Sequence, residues 1–188
     1  MKIKISDLEN KIGYKIKRNF ICAGVDTASR TGVCFIKTGR TYIHFDWAFL
    51  EFDYENQKDM LKQMHNEFKN LFTTEKLVVV EEVYIGFNRM GCLRLAKMGT
   101  LVVAECIHRD IDFEIISAVS ARGKFKINTR KYGKGKSKLA VADYLKEIGL
   151  YVDDEDISDS IVLALLGICE GMDFKPKTKK KKRRRKKK

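Results

Sequence analysis

The chain has 188 residues, 44% of them hydrophobic and 34% charged. That is enough for one well-packed domain and excludes wholesale disorder. The net charge of +13 is unevenly spread: of 38 Lys and Arg, 12 lie in residues 175–188, which contain no acid, leaving 26 against 25 Asp and Glu in 1–174. The body is near neutral, and the basic excess is a tail that offers nothing to bury. No apolar run approaches the roughly 20 residues of a membrane helix, and the Lys/Ile-rich start lacks a secretory h-region. Five widely spaced cysteines without a C-x-x-C motif fit reduced core thiols in an intracellular protein, and three unclustered histidines exclude a structural zinc site.

In chain order, residues 1–19 read as a basic extension holding at most a short helix. The segments 20–26 (FICAGVD), 31–37 (TGVCFIK) and 41–49 (TYIHFDWAF) predict an antiparallel meander; in the last, Ile43, Phe45, Trp47 and Phe49 alternate onto one face. Met60, Leu61, Met64, Phe68, Leu71 and Phe72 have helical spacing within 54–72. The run Leu77–Val80 predicts a strand covered on both faces. A helix over 88–108 with Asn88 as its cap, a strand over 111–117, a flexible basic loop over 118–138, and helices over 138–149 and 156–170 follow. This order predicts an α/β fold with a five-stranded mixed sheet, three antiparallel strands and then two parallel βα units, flanked by helices. The expected domains are an extension at 1–19, one folded unit at 20–174 and a disordered tail at 175–188.

The chemistry falls on acids at strand ends. Asp26 closes the first strand of the meander, and Glu81 and Glu82 close LVVV. Ligands of open α/β sheets sit beyond the carboxyl ends of the strands, where neighbouring strands would bring Asp26 and Glu81 together. Asp156 and Asp159, three apart, share one helix face, with Ile157, Ile161, Leu165 and Ile168 on the other. Singly, each acid reads as a turn or cap residue. Jointly, four converging carboxylates cannot all ionise without divalent cations, and hard oxygen donors select Mg²⁺ or Mn²⁺.

Four blocks in order, spanning about Ile21 to Cys169, resemble the RuvC-type Holliday-junction resolvases of the ribonuclease H-like superfamily: AGVDTASRTGVCFI, VVVEEVYIGFN, YGKGKSKLAVADYL and DISDSIVLALL. Ser160 stands where the pattern commonly has Ala, and the basic loop is longer than usual. The resemblance implies a ribonuclease H-like fold and a homodimeric, Mg²⁺-dependent endodeoxyribonuclease of DNA recombination and repair that resolves four-way junctions. Asp26, Glu81, Asp156 and Asp159 would hold two Mg²⁺ per site, and Lys138 would lie at the scissile phosphate. It assigns Glu81 over Glu82 and sets Tyr84 where an aromatic stacks on junction bases. The family's other loop lysine has no unique match, leaving Arg122, Lys124 and Lys126 as candidates. With Arg130, Lys131, Lys134 and Lys136, these three form the expected phosphate-tracking loop.

Other readings of the same residues are a different ribonuclease H-like nuclease or transposase, or an inactive nucleic-acid-binding module on that fold. An actin-like phosphotransferase would need two such domains. The expected location is cytoplasmic, in a bacterial or virus-infected cell. In a eukaryotic host the tail would read as a nuclear-import signal.

Overall fold

The run Leu77–Val80 is buried along its length, as a β-branched strand sandwiched between helices must be, and the sheet grows outward from it. A computed structural model describes residues 1–28, 30–52, 56–83, 89–133, 135–152 and 154–174; the side chains of Arg89, Met90, Arg94, Glu155 and Asp156 lie outside the described set. The strands are β1 (Lys2–Lys4), β2 (Ile21–Asp26), β3 (Arg30–Thr38), β4 (Tyr42–Glu51), β5 (Leu77–Glu81) and β6 (Asp112–Ile116). The helices are α1 (Ile5–Ile12), α2 (Gln57–Leu71), α3 (Arg89–His108), α4 (Ala118–Lys124), α5 (Ser137–Glu147) and α6 (Glu155–Ile168), with a 3₁₀ turn at Thr129–Tyr132.

The sheet order is β1-β4-β3-β2-β5-β6. Strands β2, β3 and β4 form the antiparallel meander, while β5 and β6 run parallel to β2. The sheet has six strands rather than five. Lys2–Lys4 pairs antiparallel with β4, setting Ile3 opposite Ile43, and Ile5, Leu8, Ile12 and Ile16 then bury themselves in the core. Three residues are too few to show a period, which is why this strand is silent in the sequence.

The core has two layers. Helices α2 and α3 cover one sheet face through Met60, Met64, Phe68, Met98, Val102 and Cys106. Helix α6 lies on the other, buried from Ile157 to Ile168. Two glycines permit its close approach. A Cβ on Gly24 of β2 would stand 2.2 Å from the Ser160 carbonyl oxygen and 2.4 Å from the Ala164 nitrogen, and one on Gly167 would stand 2.1 Å from the Cys22 sulfur. Backbone therefore packs directly on backbone at β2.

The segment expected as a flexible basic loop, 118–138, is largely ordered secondary structure. Ser117 caps α4 by accepting from the Ser120 N–H at 3.3 Å. Ala121 is buried, and the Phe125 ring meets Tyr14 edge-on at 5.9 Å and Tyr144 at 5.8 Å. A seven-residue helix anchored by one alanine and one aromatic leaves little periodic signal beneath so many lysines.

Candidate active site

Parallel pairing of Val25 with Val80 puts Asp26 and Glu81 at matching positions on neighbouring strands. Side chains alternate along a strand, so both acids share the face of Gly24 and Val79, the face covered by α6. Glu82 is exposed, and its N–H donates to the Ile116 carbonyl at 2.9 Å.

Asp26 and Glu81 are hydrogen-bonded to each other. Burial pushes the Glu81 carboxyl up to about 9, helped by its hydrogen bond to Asp26 and by the negative charges of Asp26 and Asp159. Burial also raises Asp26, although the bond from Glu81 and the charges of Lys138 and Arg122 work the other way. Both shifts run the same way, so the buried pair holds on to a shared proton more tightly than free carboxyls do. Two acids forced to share one proton are the usual result of crowding carboxylates in low dielectric.

Asp159 is delivered by α6, one residue before the Ser160 carbonyl that rests on Gly24. Its carboxylate is held by a guanidinium fork: Arg122 Nε donates to Oδ1 at 3.0 Å and Nη2 donates to Oδ2. The Arg122 and Asp159 side chains are 12% and 7% exposed. Of the three loop candidates, then, only Arg122 enters the carboxylate cluster. The Lys124 ammonium donates to the Asp173 carbonyl, and Lys126 is exposed with φ of 58°. Arg130, Lys131 and Lys136 are exposed on the turn and at the start of α5. Lys138, in the first turn of α5, is near enough for its charge to act on Asp26. Tyr84, Lys134, Asn88, the Asp156 side chain and the tail 175–188 lie outside the described residues.

Two features were not anticipated from sequence. The Thr27 and Ser158 hydroxyls, next in the chain to Asp26 and Asp159, are buried and lack a hydrogen-bond partner among the described residues. Arg30 joins three elements: Nε donates to Glu51 at 3.0 Å, Nη1 to Asp154 at 2.6 Å, and the guanidinium lies 3.7 Å from the Phe49 ring centroid.

The donor chemistry suits a hard divalent cation: buried carboxyls that share a proton can lose it to solvent when a cation takes its place. Among the described residues, no three metal-capable side chains converge as an open ligand set, and Asp159 faces Arg122 instead.

The fold is similar to that of solved RuvC-type, ribonuclease H-like structures. Among solved structures, the chain is similar to T. thermophilus RuvC in complex with a Holliday junction substrate, with TM-score 0.59, 12% identity, and coverage of 78% of this chain and 91% of that one. Thermus thermophilus RuvC on its own gives 0.56, 13%, 78% and 92%. The yeast mitochondrial Holliday junction resolvase Ydc2 gives 0.53, 14%, 84% and 81%. No protein-family model matches the chain, and no curated protein sequence matches it. Among the described residues, no helix is long and apolar enough to cross a membrane.

Proposed function

We propose that this chain is a metal-dependent endonuclease that resolves four-way DNA junctions. The observation that carries this reading is the pair Asp26–Glu81, two strand-end carboxyls sharing a proton on the sheet face where α6 presents Asp159. The fold and the two neighbours described as Holliday junction resolvases or bound to a junction support the substrate class.

Asp26, Glu81 and Asp159, with Asp156 one helical turn before Asp159, would hold two Mg²⁺ or Mn²⁺ ions. When bound, these supply a lowered pKa for the attacking water and charge stabilisation for the leaving 3′-oxygen. The protein's own groups do the rest. Glu81 would have to give its proton up to solvent to serve as a ligand. Lys138 places a positive charge beside Asp26, where it offsets the charge that develops on the phosphorane-like transition state. Arg130, Lys131, Lys134 and Lys136 supply backbone affinity without base readout, Tyr84 stacks on an unpaired base, and the tail adds non-specific affinity.

A homodimer fits the substrate's near two-fold symmetry. Its contact is α3, where Leu93 and Ile107 stand 51% and 65% exposed on the outer side of a helix whose inner side is buried. Beside it Ile115 of edge strand β6, together with Val83, Gly99 and Val103, lines a cavity of about 270 Å³.

The experiment is cleavage of a four-way junction against linear duplex, flap and RNA/DNA hybrid, each with Mg²⁺. Paired nicks in the junction, lost in Asp26→Asn and Glu81→Gln but kept in Glu82→Gln, are expected. Preferred cleavage of the hybrid or the flap would reassign the substrate. Activity in Asp26→Asn equal to wild type would overturn the site.

A further inference from the structure

Arg122 does more than stand near the acids. Its fork occupies both oxygens of Asp159, in a pair that is almost wholly withdrawn from solvent. It is not a surface side chain that has drifted inward, because α4 is pinned behind it. Ser117 caps the helix, Ala121 is buried, the Tyr14 hydroxyl donates to the Lys124 carbonyl at 2.9 Å, and Phe125 is clasped by two aromatic rings. The same guanidinium lowers the proton affinity of both Asp26 and Glu81. One fixed positive charge therefore stands among three carboxyls, with both oxygens of Asp159 already engaged.

Such a site resists a second cation. Any ion that uses Asp159 must first part it from Arg122, and a desolvated guanidinium that loses its carboxylate needs another anion. The chemical match for its planar fork is a phosphodiester, which offers two oxygens at carboxylate-like spacing. We infer that Arg122 is a built-in competitor of the divalent cation for Asp159, drawn off that carboxylate by a phosphate of the bound strand. Full occupancy of the carboxylate cluster then depends on substrate. The phosphodiester arm rests on the function proposed above; the competition for Asp159 does not.

Isothermal titration of the full chain with Mn²⁺, without DNA, tests the competition. Arg122→Gln is expected to tighten the weaker Mn²⁺ binding event by about tenfold, the lower end of what changing a ligand's partner does to metal affinity. Arg122→Lys, a point charge without a fork, should fall between. Asp159→Asn added to Arg122→Gln should abolish the gain. An isotherm unchanged in both Arg122 variants overturns the inference, and if the glutamine variant misfolds, the lysine variant decides. In wild type, a junction oligonucleotide that tightens Mn²⁺ binding, with a smaller effect in Arg122→Gln, supports the phosphate arm; an equal effect in both refutes it. The two readings part cleanly. Mn²⁺ binding altered in the Arg122 variants, with a wild type that cuts no junction, removes the proposed function and keeps the competition. Junction cleavage with unaltered isotherms does the reverse.

Discussion

The Glu81 and Asp26 carboxyls are hydrogen-bonded to each other across two adjacent parallel strands, and this single bond ties the site to the stability of the fold. Glu81 moves from an ordinary 4.5 up to about 9 on folding. Between those values the folded chain binds more protons here than the unfolded chain does, so stability falls as pH rises through that window and the loss is complete above it. In EDTA, the melting temperature of Glu81→Gln should therefore gain on wild type steadily from pH 5 to pH 9. Mg²⁺ should recover part of the wild-type loss at the upper end. A constant gap between the two proteins would mean that Glu81 is ionised throughout.

Gly24 is where the second layer meets the first. An added Cβ would meet the Ser160 and Ala164 backbone atoms at 2.2 and 2.4 Å, and backbone cannot rotate aside as a side chain can. Gly24→Ala should cost about 3 kcal/mol, the upper end of ordinary overpacking, read as a shifted denaturant midpoint. Gly99→Ala makes the contrast. Its nearest neighbour, the Thr27 hydroxyl, is 3.9 Å away, so it should be neutral or slightly stabilising, helped by the helix propensity of Ala.

The contrast between those glycines shows what a sequence can and cannot reveal. The strand ending in Asp26, the buried run ending in Glu81 and the i, i+3 aspartates of α6 are written in local pattern. Their convergence follows from parallel pairing, which a βαβ order implies. Arg122 could not be singled out from Lys124 and Lys126, because that choice depends on how α4 is rotated, and α4 is set by Tyr14, more than a hundred residues earlier. The edge strand Lys2–Lys4 is legible only through its partner, Tyr42–His44.

Arg30 should act on the site without touching it. It clamps Asp154, just ahead of α6, to Glu51 at the end of β4, over the face of Phe49. At 38% side-chain exposure, its removal should cost at most about 1 kcal/mol of stability. Cleavage should fall much further, about 10- to 100-fold, since Asp156 and Asp159 start from the segment it holds and small misplacements of reacting groups cost that much. Arg30→Lys should recover little, because one ammonium cannot span both carboxylates. Measured together, unfolding free energy and single-turnover rate separate the two effects. A rate loss no larger than the stability loss predicts would reduce Arg30 to a surface pair.

Helix α3 has two faces with different fates. Met98, Val102 and Cys106 are buried against the sheet and α2, whereas Leu93 and Ile107 face outward, and Ala96 and Thr100 between them are also exposed. That spacing, at 93, 96, 100 and 107, is a stripe a second helix can lie along. The small residues Ala96 and Thr100 at its centre let two backbones come close. A symmetric pair of such helices would set two sites on matched strands of one junction. Sedimentation at micromolar concentration should give a dimer for wild type. Leu93→Glu with Ile107→Glu should give a folded monomer, since neither side chain belongs to the buried core. The monomer should still bind junction DNA but release singly nicked product instead of paired nicks. A dimer that survives both charges would place the contact elsewhere, and a wild-type monomer that makes paired nicks would remove the dimer.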